Sequence, residues 1–171
     1  QEKLIVTMIM IGSMQPSDWK EVKGIYEDGI ATGNATFQQT APEWEEWDKS
    51  HLQHSRLVAK EDGNVLGWAA LTPVSGRCVY AGVAEVSVYI SAAARGKGLG
   101  KQLLQKLVEE SEAHDIWTLQ AGIFPENIPS IKIHEDCGFR IIGRRERIGK
   151  MNGQWRDTIL LEKRSKIIGI N

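Results

Sequence analysis

Val86-Ser87-Val88-Tyr89-Ile90, Ser91-Ala92-Ala93-Ala94 and Arg95-Gly96-Lys97-Gly98-Leu99-Gly100-Lys101 follow one another without a break. The first stretch alternates as a β-strand does, and the last is a glycine-rich bend. A helix opens from that bend, because Leu99, Leu103, Leu104, Leu107 and Val108 recur at helical spacing. The first N–H groups of a helix have no internal partner, and the helix dipole is positive there. Glycines let this backbone approach a phosphate to hydrogen-bond distance. Arg95, Lys97 and Lys101 add full positive charges. Strand, bend and helix start together read as a cradle for a pyrophosphate. The spacing Gly96-x-Gly98-x-Gly100 is neither the G-x-G-x-x-G dinucleotide fingerprint nor a G-x-x-x-x-G-K-[ST] P-loop.

Composition bounds the rest. A chain of 171 residues, 42% hydrophobic and 25% charged, suits a single domain over residues 1–171 with a substantial core. A formal net charge of −1 gives no general attraction to nucleic acid or to an anionic membrane, and neither is expected as a partner. Leu4 to Ile11 is apolar but far too short to span a bilayer, and it lacks a basic leader and a cleavage site. Cys78 and Cys137 show no metal or redox spacing, so no metal is expected and a reducing cytoplasm fits best.

Leu4 to Ile11 is predicted as the first strand. A helix is expected after Gln15-Pro16-Ser17-Asp18, with Asp18 as N-cap, Glu21 in the capping-box position, and Val22, Ile25, Tyr26 and Ile30 as the buried stripe. Thr40-Ala41-Pro42-Glu43 starts a second helix that carries Trp44, Trp47 and Leu52. Leu57 to Ala59 and Val65 to Leu71 form a hairpin around Glu61-Asp62-Gly63-Asn64. Val79 to Ile90 is read as one long strand leading to the glycine bend. After the main helix come a strand at Trp117 to Ile123 and a helix capped by Asn127 and closed at Gly138. The last two strands, Phe139 to Ile148 and Trp155 to Glu162, flank the Asn152-Gly153 hairpin signal. The order βααβββαβαββ predicts an α+β fold with a mixed central sheet.

The Arg-Gly-x-Gly-x-Gly bend after Val88-Tyr89-Ile90, in this element order, resembles the coenzyme A loop of the GCN5-related N-acetyltransferase superfamily. Thr36-Phe37, Glu43-Trp44-x-x-Trp47, Ala84-Glu85-Val86-Ser87-Val88-Tyr89, Asn127-x-x-Ser130, His134-Glu135-x-x-Gly138-Phe139 and Gly149-x-x-x-Gly153-x-Trp155-x-Asp157 resemble the phosphinothricin N-acetyltransferase family. The likeness runs from about residue 15 to residue 162. It implies a central sheet of about seven strands flanked by about four helices. It also implies acetyl-CoA as co-substrate, a small amino-acid-like amine as acceptor, and a homodimer. Two departures stand out: Gln38-Gln39 where relatives often have a glutamate after the Thr-Phe pair, and Arg156 where some have histidine.

Acetyl transfer from a thioester to an amine needs a base for the ammonium, a donor for the oxyanion, and a proton or positive charge for the departing thiolate. Glu85 shares a strand face with Ser87, opposite Val86 and Val88. A carboxylate in an otherwise apolar strand should titrate high and serve as base, and in the resembled family this glutamate is the proposed base. His134 sits where many superfamily members place a thiolate-protonating tyrosine, and it can serve as that acid or as the base. The other histidines, His51, His54 and His114, are read as surface residues.

By the resemblance, the backbone of Val88, Tyr89 and Ile90 pairs with the pantetheine arm and polarises the thioester. Arg95, Gly96, Lys97, Gly98, Leu99, Gly100 and Lys101 hold the diphosphate, and Asn127 holds the pantetheine side. Arg77 can bind a substrate carboxylate, with Tyr80 beside it and Phe37 as a wall of the acceptor pocket. Trp44, Trp47 and Trp68 are expected to pack the core. The competing reading is a non-catalytic acyl-CoA sensor, and a further one is a protein that binds another diphosphate.

Overall fold

Turn chemistry sets the hairpins. Asp62 and Gly63 take φ of 50° and 79°, as a two-residue primed turn requires, and join β2 (Leu57–Glu61) to β3 (Asn64–Pro73). Asn152 and Gly153, at 52° and 78°, do the same between β6 (Arg140–Met151) and β7 (Gln154–Arg164). The computed structural model describes residues 8–171. With β1 (Met10–Ser13), β4 (Val83–Ile90) and β5 (Thr118–Ile123), the strands form one sheet in the order β1-β2-β3-β4-β5-β7-β6. All neighbours are antiparallel except β4 and β5, which are parallel. A parallel pair needs a crossover, and α3 (Leu99–Ala113) supplies it. Helices α1 (Trp19–Ala31), α2 (Trp44–Ser50) and α4 (Ile128–Asp136) complete the mixed α+β architecture.

The sheet has two unlike faces. Leu99, Leu103, Leu104 and Leu107 of α3 pack on Ala69, Leu71, Ala84 and Val86 in an aliphatic layer. Leu103 is fully buried, and truncating it to alanine costs about 2–5 kcal/mol. On the other face α1 and α2 enclose an aromatic layer of Trp19, Trp47 and Trp68, with Trp44, Tyr26 and Tyr89 packed against it. Alternation along β4 serves both layers: Val86 and Val88 join the aliphatic one, and Tyr89 the aromatic one.

Four local expectations change. The first strand runs Met10–Ser13, and Leu4 to Thr7 of the predicted span lie outside the described residues. Asp18 does not cap forward: its carboxylate accepts from the Gln15 N–H at 2.8 Å and pairs with Lys60 at 2.7 Å. Glu21 accepts instead from the Val65 N–H at 2.9 Å, tying α1 to β3. The second helix begins at Trp44 with Glu43, not Thr40, as its flanking residue. The predicted strand from Val79 starts only at Val83, because Cys78–Tyr80 form a 3₁₀ turn.

Candidate active site

The site grows from a defect in the sheet. Strands β4 and β5 pair only at Val83 with Thr118, Ala84 with Leu119 and Glu85 with Gln120. Beyond Glu85 they part: β4 stays with β3 as far as Ile90, and β5 stays with β7 as far as Ile123. The edge of β4 after Glu85 is therefore left without a strand partner on the β5 side. A cavity of about 780 Å³ opens in this fork, lined by residues 85–89 of β4, Ala121 to Phe124, the loop 35–40, and parts of α4 and β6.

Glu85 stands at the crotch of the fork. Its carboxylate accepts from the Gln120 amide at 3.2 Å, and it lines the cavity together with Ser87, so its neighbour is a polar amide rather than an apolar wall. His134, 5% exposed, lines the same cavity from α4. Its Nδ1 lies 2.7 Å from the Ser130 carbonyl oxygen. A carbonyl only accepts, so Nδ1 carries the proton and the neutral ring keeps its lone pair on Nε2. Burial holds the His134 pKa below the usual imidazole value, with the Ser130 bond opposing.

Gly96 and Gly98 both sit at positive φ, 77° and 79°, and Gly98 immediately precedes α3. The first helical bond reaches back from Gln102 N–H to Gly98 O at 3.2 Å, so the N–H groups of Leu99, Gly100 and Lys101 precede the ladder. Among the described residues neither Lys97 nor Lys101 forms an ion pair, and Arg95 donates only to the Ile90 carbonyl at 3.3 Å. A Cβ on Gly100 would lie 3.2 Å from Ile133 of α4, so the glycine lets α3 come close to the helix that carries His134. Beside the cradle, the Tyr89 ring stacks on Trp68 at 4.9 Å, and burial pushes its phenol pKa up. The Val88 and Tyr89 positions line the cavity, and Ile90 leads from it to the bend.

One wall of the cavity is assembled from distant segments. Phe37 meets Phe124 edge to face at 4.9 Å and covers Gly149, where a Cβ would lie 2.7 Å from its ring. Asn127 caps α4 by accepting from Ser130 N–H at 3.4 Å, and it donates to the Asn34 carbonyl at 3.2 Å, so both ends of its amide are engaged. Arg156 donates to Gly33 O at 3.0 Å, to Asn34 Oδ1 at 2.9 Å and to Glu126 at 3.3 Å, and lies 4.0 Å above the Phe124 ring. Arg156 and Asn127 thus pin the loop that presents Phe37.

Arg77 and Tyr80 are not brought to this cavity. They sit at the exposed 3₁₀ turn, the guanidinium 5.8 Å from the Tyr80 ring, and the strand expected to begin at Val79 and carry Tyr80 begins later, at Val83. Arg145, which was not predicted, lines the cavity instead. His51 and His54 are also not plain surface residues. His51 stacks on Trp47 at 4.0 Å, and burial lowers its pKa to about 4. His54 is partly buried and stacks on the exposed His114 at 4.3 Å. Among the described residues no group of His, Cys, Asp or Glu side chains is placed to hold a metal.

A profile of the Acetyltransferase (GNAT) family matches residues 21–139. The L-methionine sulfoximine/L-methionine sulfone acetyltransferase of Pseudomonas aeruginosa is 32% identical over 155 residues, covering 85% of this chain and 88% of that protein. The phosphinothricin N-acetyltransferase of Alcaligenes faecalis is 31% identical over 156 residues, covering 88% and 79%. The crystal structure of a GNAT superfamily phosphinothricin acetyltransferase from Sinorhizobium meliloti, in complex with acetyl-CoA, aligns with a TM-score of 0.81 at 26% identity. That alignment covers 95% of this chain and 96% of that one.

Proposed function

The chain belongs to the acetyltransferase (GNAT) family, and from that premise we propose that it acetylates the primary amine of a small amino-acid-like substrate, of the phosphinothricin or methionine sulfoximine type. It is an acetyl-CoA-dependent N-acetyltransferase, with acetyl-CoA as its co-substrate. The observation that carries the acceptor chemistry is one cavity holding Glu85 and His134 together, at the fork beside an open glycine cradle.

In this reading the diphosphate lies on the N–H groups of Leu99, Gly100 and Lys101 with Arg95, Lys97 and Lys101 around it. The pantetheine arm runs along the unpaired edge of β4 as an added strand would. The acceptor ammonium gives one proton to Glu85, directly or through water, and the freed amine attacks the thioester carbon. The nitrogen of the tetrahedral adduct then carries an extra proton. His134 takes it at Nε2, the only ring nitrogen with a lone pair. As imidazolium it returns that proton to the departing thiolate, so the C–S bond breaks, the amide remains and a thiol leaves. This order gives His134 both roles and follows from its fixed tautomer.

A sensor that binds acyl-CoA without turnover needs neither Glu85 nor His134 in the cavity. Pairing of two copies is proposed from the family likeness and from exposed Ile141, Ile142, Ile148 and Trp155 on the β6–β7 hairpin. No described helix is long and apolar enough to cross a membrane, and a cytoplasmic setting belongs to the same reading. The test is thiol release from acetyl-CoA with a panel of amino acids and analogues. Turnover with methionine sulfone or phosphinothricin is expected. Tight acetyl-CoA binding without thiol release on any acceptor supports the sensor instead.

A further inference from the structure

Building on the acetyltransfer reading, we propose that Gln120 is the positioning residue for Glu85: its amide fixes one carboxylate oxygen at the crotch of the fork, so that the other faces the acceptor ammonium. Glu85 and Gln120 form the last rung of the β4–β5 ladder. Leu119, Ala121 and Ile123 are committed to the aliphatic layer, so alternation turns Gln120 to the opposite face of the sheet, the one that carries Glu85 and Ser87.

The amide has one orientation. A carboxylate only accepts, so Nε2 of Gln120 donates to Glu85 Oε1, at 3.2 Å. Among the described residues Oε2 has no hydrogen-bond partner. Oε2 is thus the oxygen left to take a proton, directly or through water. The bond from Nε2 survives that step, because the carbonyl oxygen of a carboxylic acid still accepts. Gln120 stands outside the cavity lining, whereas Glu85 is part of it, so the acid is held from behind. In front it is open: the next residue on this face of β5 is Gly122, and a Cβ built there meets nothing within 4 Å.

A second carboxylate is in place to compete for the same amide. Glu162 of β7 lies directly opposite Gln120 on its other side. Glu162 is drawn instead to its own partner on β6, Arg140, which donates to it at 3.0 Å. Arg140, Glu162, Gln120 and Glu85 thus form one row across β6, β7, β5 and β4. Within that row the Gln120 amide donates to Glu85 alone among the described residues. Proton transfer needs the accepting oxygen within hydrogen-bond reach of the ammonium, and an untethered glutamate spreads over several rotamers.

The experiment measures thiol release by the full chain, across pH, with the amino acid that the panel turns over fastest. Wild type, Glu85→Gln, Gln120→Met and Gln120→Glu are compared. Gln120→Met keeps the length of the side chain and removes the donor, so kcat near neutral pH should fall about tenfold with the KM for acetyl-CoA unchanged. The deficit should shrink as pH rises and more of the acceptor arrives as free amine, which needs no base. Gln120→Glu keeps the shape, lacks the donor and adds a like charge, so kcat should fall further, yet not below that of Glu85→Gln. A glutamine that merely fills space would tolerate glutamate best. Wild-type kcat in either variant, the same deficit at every pH, or a raised KM for acetyl-CoA would each overturn the assignment to Gln120 while leaving the acetyltransfer reading standing. If Gln120→Met does not fold, the same readings on Gln120→Glu, of wild-type size, decide. Full activity of Glu85→Gln would remove the base and the role of Gln120 with it. Silence of the wild type on every acceptor would defeat the acetyltransfer reading as well.

Discussion

The two ends of the cavity are made in opposite ways. The proposed cofactor end is backbone: Arg95 to Lys101 are consecutive, and the left-handed Gly96 and Gly98 lead into the bare N–H groups that open α3. The proposed acceptor end is side chain: Phe37, Glu85, Phe124 and Arg145 line it from four separate segments, and Arg156 and Asn127 hold the loop that brings Phe37. A backbone site grips a group that never varies and depends on conformation. A side-chain site is re-tuned by single substitutions, so acceptor choice can change without disturbing the diphosphate cradle.

Substitutions at either end sharpen that contrast. The largest effect is expected at the cofactor end. Gly98 sits at φ 79° with nothing within 4 Å of a built Cβ, so Gly98→Glu fits sterically but strains the backbone and brings a negative charge to the anion site. Acetyl-CoA affinity should fall on the order of 10³-fold, the sum of a few lost charge-assisted bonds. A calorimetric titration with normal affinity in the folded variant would break the cradle.

Next comes the crotch of the fork. Glu85→Gln keeps the contact with Gln120 in shape but removes the proposed base, and kcat should drop about 10²-fold with acetyl-CoA binding intact. An unchanged kcat across the pH range would remove Glu85 from the reaction.

The His134 prediction is one of direction. Its pKa is lowered by burial, so the neutral ring prevails at and above neutral pH. In the proposed mechanism the neutral ring is the active form, so activity should hold from neutral pH upward as far as this group is concerned, and decline only as pH falls below the ordinary imidazole value of about 6.5. The same sign governs stability: the contribution of a depressed histidine is present above its unfolded pKa and is lost as pH falls through its folded one. Loss of that acid limb in His134→Asn fits the assignment, and a rate that climbs as the ring becomes protonated contradicts it.

The smallest effect is expected at the clamp. Arg156→Met removes the guanidinium that lies over Phe124 and frees Gly33 and Asn34, and the KM for acceptor should rise about tenfold with that for acetyl-CoA unchanged. A rise in both would mean that the clamp serves the whole fold rather than the acceptor loop.

What the sequence made legible follows the same division. The glycine bend, the Asp62-Gly63 and Asn152-Gly153 hairpins and the Asn127 cap are decided by residues within a few positions of one another, and all four are where local chemistry puts them. The strand expected from Val79 does not reach Tyr80, because β alternation stops short of Gly82. A Cβ there would lie 2.0 Å from the Trp117 ring, and the chain turns before it reaches the strand. Arg145 was missed because its position depends on a bulge closed from the neighbouring strand, which no spacing within 139–148 reveals. Arg156 was visible only as a departure from a family pattern, since its partners at Gly33, Asn34 and Glu126 come from two remote loops.

A crystal structure of the protein with coenzyme A and an amino-acid acceptor tests most directly whether the fork between β4 and β5 is where acetyl transfer happens. It should show the diphosphate on the N–H groups of Leu99, Gly100 and Lys101 and the thiol reaching into the cavity between Glu85 and His134. A cofactor bound with its diphosphate away from the tip of α3, or its sulfur outside that cavity, would contradict the site described above.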